Sequence, residues 1–143
     1  MMRYLTAALA ALTLVLSPTV QAETPPGKVD FDFVRMNPTI GAAQFTHLLT
    51  RPHGFLRNRI RMRGRFITHT DANGKRRIAC QMSDTGGCCV IGTLAFVPKG
   101  NPKWPDDYPV ANETFTVQGT LILTEGPSPD LVLADAEITL DIH

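Results

Sequence analysis

Polar and apolar residues alternate almost without a break from Arg57 to Phe66. Arg57, Arg59, Arg61, Arg63 and Arg65 share one parity, and Ile60, Met62, Gly64 and Phe66 the other. A period of two marks a strand with one buried face. Asn73-Gly74 in "DANGK" is a hairpin turn signal. "RRIACQM" then predicts a second strand, with Ile78, Cys80 and Met82 on its apolar side. After the turn "SDTGG", the segment "CCVIGTLAFV" is apolar on both parities. That suits a central strand or one covered by a helix. "PKGNPKWPDDYP" carries four prolines and predicts a loop. "ETFTVQGTLILTE" alternates again, with Phe115, Val117, Leu121 and Leu123 inward. "LVLADAEITLDI" closes the series. There Val132, Ala134, Ala136, Ile138, Leu140 and Ile142 are expected inward, and Asp135, Glu137 and Asp141 outward. The one helical period is at 42–50, "AAQFTHLLT", where Phe45, Leu48 and Leu49 share a face and Pro52 ends the run.

Two of the five strands echo each other. "IRMRGRF" and "FTVQGTL" both place a glycine, Gly64 or Gly119, at the same point of a long alternating run. A mid-strand glycine weakens a flat sheet but permits the sharp coiling that closes a small barrel. The expectation is therefore an all-β fold, a five-stranded OB-like barrel with one short N-terminal helix. A small open β-sandwich is the alternative. Ile60, Met62, Phe66, Val117, Leu121, Ile138 and Leu140 are expected to share its core, with Arg59 to Arg65 outside.

The N-terminus sets the compartment. "MMRYLTAALAALTLVLSPTVQA" has Arg3, an apolar run over Leu5 to Leu16, the breakers Ser17 and Pro18, and a small-x-small end at Ala22. That is the layout of a secretory signal peptide cleaved after Ala22. The run is shorter than the roughly 18 to 20 residues of a membrane span. The domain plan is thus a signal peptide at 1–22, an extended leader at 23–41 and an OB-like domain at 42–143. The mature chain is expected to be soluble and periplasmic.

Charge changes the picture along the chain. From Arg35 to Arg77 there are ten Lys or Arg against Asp71 alone, and from Asn101 onward there is Lys103 against eight acids. The arginine ladder resembles a nucleic-acid stripe, but no aromatic residue is interleaved on its face, and the last strand offers outward acids as partners. No nucleic acid is expected as a partner. His47, His53, His69 and His143 fall into no metal-binding spacing. Trp104 and Tyr108 in the proline-rich loop form a candidate aromatic binding surface; the competing reading is a lid over one barrel end. No hydrolase, kinase, phosphate-loop or zincin motif occurs, so the chain is not expected to be an enzyme.

The remaining chemistry is concentrated in "CQMSDTGGCC", which holds all three cysteines, Cys80, Cys88 and Cys89. A turn centred on Asp84 sets Cys80 across from Cys88, close enough for a disulfide; a bulge shifts the partner to Cys89. An oxidising compartment favours such a staple, yet one thiol is left over. The competing reading is a zinc or copper site with Cys80, Cys88 and Cys89 as thiolates and Asp84 as an oxygen ligand. Adjacent cysteines on a strand point to opposite faces, which counts against that site.

"FLRNRIRMRGRF", "DTGGCCVIGTLAF", "YP" and "VQGTL", in that order, resemble a group of small exported or membrane-tethered bacterial proteins. These carry a GK-x-V-x-V-x-G strand, a D-x-x-x-C-C motif and a closing V-x-G strand. Some are associated with metal-ion homeostasis. The resemblance implies an OB-like barrel and an accessory role in the envelope. The expected function is a small exported binding protein that handles zinc or copper through its cysteines, its partner a metal ion or an envelope protein. The alternatives are a thiol redox protein and a structural envelope protein with a stapled barrel and no ligand.

Overall fold

The computed structural model describes residues 28–84 and 86–140. The expected signal peptide at 1–22, residues 23–27 of the leader, and Asp141, Ile142 and His143 lie outside them. The described chain runs β1 (Phe31–Asp32), α1 (Pro38–Thr50), a 3-10 turn (Pro52–Gly54), β2 (Arg59–Thr70), β3 (Arg76–Ser83), β4 (Val90–Pro98), β5 (Thr114–Leu123) and β6 (Leu131–Leu140).

The sheet order is β1-β2-β3-β4-β6-β5, and β5 also pairs with β2. The five long strands therefore close into an OB-like barrel, with β1 as an extra short strand parallel to β2. Closure removes the sheet edges that an open sandwich would leave. Within the barrel β4 and β6 run parallel, while the other four pairings are antiparallel.

The two echoing glycines are needed where strands approach each other closely. A Cβ on Gly64 would collide with the Gln81 carbonyl oxygen and stand 2.7 Å from the Cys80 sulfur. One on Gly119 would stand 2.8 Å from the Ala134 carbonyl oxygen. Opposite Gly119 the β5–β6 register shifts between Gln118 and Thr120, and Asp135 takes a left-handed φ of 49°. This is a β-bulge, with one extra residue on β6.

Ile60, Met62, Phe66, Val117 and Leu121 are all buried in one core, as the alternation predicts. The bulge corrects the expectation for the first half of β6. Leu133, off the expected inward parity, stands opposite Leu121 and is fully buried in the core, and Val132 is buried as well. The extra residue then reverses the parity, so that Ala136 is buried and Ile138 half-buried, as expected. Leu140 stands opposite buried Phe115 but at the strand end, where it is 48% exposed.

Helix α1 starts four residues before the predicted Ala42. The Asn37 side chain accepts a hydrogen bond from the Thr39 N–H at 3.0 Å, and Pro38 opens the first turn. Cap plus proline is a strong start signal, and it extends the helix into the stretch read as an extended leader. Phe45 and Leu48 are fully buried, and the helix packs on β4. Gly92 makes room for it, because a Cβ there would run into the Leu49 side chain and come within 3.2 Å of the Phe45 ring. The helix thus covers β4 only near Gly92. Val90 and Val97 are exposed, so β4 is apolar on both parities without being buried on both. No helix among the described residues is long and apolar enough to cross a membrane.

The far end of the barrel is covered by the proline-rich loop. The Trp104 and Tyr108 rings both lie 6.2 Å from that of buried Phe66, and the loop is stitched to β2 by Phe66 N–H to Glu113 O (2.9 Å) and Asn112 N–H to Phe66 O (2.8 Å). The Arg76 guanidinium lies over the Trp104 ring, 4.1 Å from its centroid. Trp104 itself remains 41% exposed.

Several of the outward arginines have acidic neighbours. Arg59 reaches Glu137 of β6 across β5 at 3.9 Å, and Arg61 meets Asp32 of β1 at 3.3 Å. Arg77 joins Asp71 at 3.2 Å and Asp130 at 3.6 Å. Such exposed pairs each contribute about 0–1 kcal/mol, so they bias register more than they stabilise. Of the last strand's outward acids, Glu137 alone has a recorded ion pair among the described residues.

Candidate metal centre

The β3–β4 connection decides the fate of the cysteines. Cys80 pairs across the ladder with Leu94, Met82 with Gly92 and Ser83 with Val90. The turn is therefore centred on Gly86 and Gly87, where Gly87 supplies a φ of +68°, and not on Asp84. This corrects the register that placed Cys80 opposite Cys88. The extra residue in this hairpin is Ile91, skipped between Met82 and Ser83, so a bulge does occur, but too late to bring Cys89 across from Cys80.

Cys80 faces the barrel interior and is fully buried, between Phe66 of β2 and Leu94 of β4. Burial pushes its thiol pKa up from 9.0 to about 12, because a thiolate there would lose its hydration with no cation to replace it. Cys88 and Cys89 are exposed on the connecting loop. All three thiols are unpaired. The structure does not bring Cys80 to either of the others, neither as a disulfide partner nor as a third thiolate ligand.

Three of the four candidate ligands do converge. One ligand atom each from Asp84, Cys88 and Cys89 lies within 4.8 Å of the others. The Cys88 and Cys89 sulfurs are 3.3 Å apart, and the Cys88 thiol is 3.4 Å from Asp84 Oδ2. The objection from adjacency does not apply here. Alternation of side chains is a property of strands, and β4 begins only at Val90. In the loop both sulfurs turn to the side of the carboxylate.

Asp84 builds this loop as well as facing it. Its Oδ1 accepts hydrogen bonds from the backbone N–H of Cys88 (3.2 Å) and of Cys89 (3.3 Å). Its own N–H donates to the Cys89 carbonyl at 2.9 Å, and its carbonyl accepts from Gly87 N–H at 2.9 Å. Asp is suited to such turns because its short side chain reaches backbone donors a few residues on. The N–H of Cys89, with smaller contributions from the Cys88 thiol and N–H, lowers the Asp84 pKa. The effect on the thiol is opposite. Hydrogen bonding with Cys89, and then with the Asp84 carboxylate, raises the Cys88 pKa.

Asp84 also lines a cleft of about 790 Å³, together with Met82 of β3, Arg63 and Arg65 of β2, and Met36 and Thr39 before and in α1. The cleft has a topological origin. β2 pairs with β3 only from Arg65 onward and with β1 only at Ile60 and Arg61, so 62–64 have no ladder partner on that side, although Gln81 of β3 closes over Gly64. His47 stacks edge-on against Phe55 at 5.5 Å, and no histidine joins the cluster among the described residues.

No family model, curated protein or solved structure matches this chain.

Proposed function

We propose that this is a small exported accessory protein that binds a thiophilic metal ion, zinc(II) or copper(I), through Cys88, Cys89 and Asp84. The observation that carries the reading is the convergence of two sulfurs and one carboxylate oxygen within 4.8 Å on one loop. Two thiolates and a carboxylate are a donor set for these ions. A bound cation also offsets the local electrostatics, which otherwise penalise a thiolate beside Asp84.

Two further features support it. Adjacent residues joined by a trans peptide hold their Cα atoms about 3.8 Å apart, closer than the roughly 4.4–6.8 Å of relaxed disulfides. Cys88 and Cys89 therefore resist oxidation to each other, and Cys80 has no thiol within reach. An odd number of cysteines in an exported protein is then explained by keeping the outer pair available. A thiol redox role fits less well, because reactive redox cysteines have lowered pKa values, whereas that of Cys88 is raised.

The test is anaerobic titration of the purified chain with zinc(II) and with copper(I). The expected result is one ion per chain, with binding lost in Cys88→Ser and Cys89→Ser and kept in Cys80→Ser. Equal binding by all three variants would overturn the reading.

A further inference from the structure

We propose that this centre is a transfer site, which takes its ion from and passes it to another thiol-bearing ligand by direct exchange, rather than a storage or structural site. The proposal rests on the metal reading above and adds what the exposure of the ligands implies.

The donor set is short by one. Tetrahedral structural zinc sites are closed by four protein ligands, whereas sites that react keep a position open. Here the chain offers Asp84, Cys88 and Cys89, and no other His, Cys, Asp or Glu joins them among the described residues. The one remaining thiol, Cys80, is sealed inside the barrel and cannot complete the sphere. Both offered sulfurs are exposed, and so is the neighbouring Val90. An incoming ligand thus has access to both sulfurs from solvent.

The exchange step balances without a redox partner. The acceptor's thiolate forms a sulfur–metal bond at the open position. The Asp84 oxygen–metal bond breaks next, since a carboxylate is the hardest of the three donors. Asp84 has an alternative use for its charge in the N–H groups of Cys88 and Cys89. Further donors of the acceptor then bond the ion one by one as the Cys88 and Cys89 sulfur–metal bonds break, and each freed thiolate takes up a proton that an acceptor thiol released on binding. The ion changes hands at constant oxidation state.

The experiment loads the full chain with zinc(II) and mixes it with an excess of a small chromogenic zinc chelator in a stopped-flow instrument. Direct exchange predicts a transfer rate that rises in proportion to chelator concentration. It also predicts that Val90→Ala, which leaves all three ligands in place, keeps the one-to-one zinc stoichiometry. A loaded chain whose transfer rate is independent of chelator concentration would overturn the transfer proposal alone, because the ion would then leave before the acceptor arrives. A chain that cannot be loaded at all would overturn the metal reading and the transfer proposal together.

Discussion

The sulfurs of Cys88 and Cys89 stand 3.3 Å apart on the same side of the β3–β4 loop, although the residues are neighbours in sequence and joined by a trans peptide. That pairing brings two soft donors together without letting them form a relaxed disulfide. The aerobically purified chain is accordingly expected to show three free thiols. An alkylating reagent should modify Cys88 and Cys89 in the native protein and Cys80 only after unfolding. A native chain with one reactive thiol would mean that a disulfide forms, and would return the staple to consideration.

Cys80 gives a pH signature of its own. Its thiol pKa is 9.0 in an open chain and about 12 in the fold. Between those values the folded chain holds a proton that the unfolded chain has lost. Stability is therefore unaffected by this group below about pH 9 and falls as pH rises toward 12. At 1.36 kcal/mol per pKa unit, the loss reaches about 4 kcal/mol as an upper order of magnitude. Urea denaturation across this range should show a steeper alkaline decline in the native chain than in Cys80→Ala.

Gly64 is the position where closure of the barrel is most exposed to a single methyl group. The Gln81 carbonyl oxygen blocks it, and a backbone atom cannot rotate away. Gly64→Ala is expected to cost about 1–3 kcal/mol through overpacking. Gly54→Ala, where nothing stands within 4 Å, should stay within about 0.5 kcal/mol. Equal denaturation midpoints for the two variants would show that β3 does not cross Gly64 as described.

Metal affinity should depend on pH through Cys88. The hydrogen bond with Cys89 and the neighbouring Asp84 carboxylate hold its pKa above 9.0, so binding at neutral pH must displace a proton. Apparent zinc affinity is expected to tighten from pH 6 to 9 and to weaken toward acid, with proton release measurable by calorimetry in buffers of different ionisation enthalpy. An affinity flat across that interval would mean that thiolates are not the ligands.

The barrel was legible because its determinants are local. Arginine alternation around Ile60 and Met62, the Asn73-Gly74 turn and the repeated Gly64 and Gly119 each act within a few residues. What escaped was register. The extra residues at Asp135 and Ile91 are bulges that nothing in the alternation of β6 or β4 announces, because a bulge is fixed by the facing strand. The first places Leu133 inward ahead of it, where the even parity had been expected, and the turn at Gly86-Gly87 sets Cys80 opposite Leu94. The helix start was readable in Asn37-Pro38, but the apolar period begins later and drew the boundary with it. At the cysteines the residue types marked the loop on which Asp84, Cys88 and Cys89 converge. The ligand set was too large by Cys80, whose inward parity was evident from Ile78 and Met82. Convergence of the neighbouring Cys88 and Cys89 depends on loop geometry around Asp84, which strand periodicity does not describe.

X-ray absorption at the zinc edge of the zinc-loaded full chain tests the central claim most directly, because it counts the sulfur neighbours of the ion. The account predicts two sulfurs at about 2.3 Å with oxygen neighbours near 2.0 Å, and no change in Cys80→Ser. A spectrum with three sulfurs, or with none, would contradict a centre built from Cys88, Cys89 and Asp84.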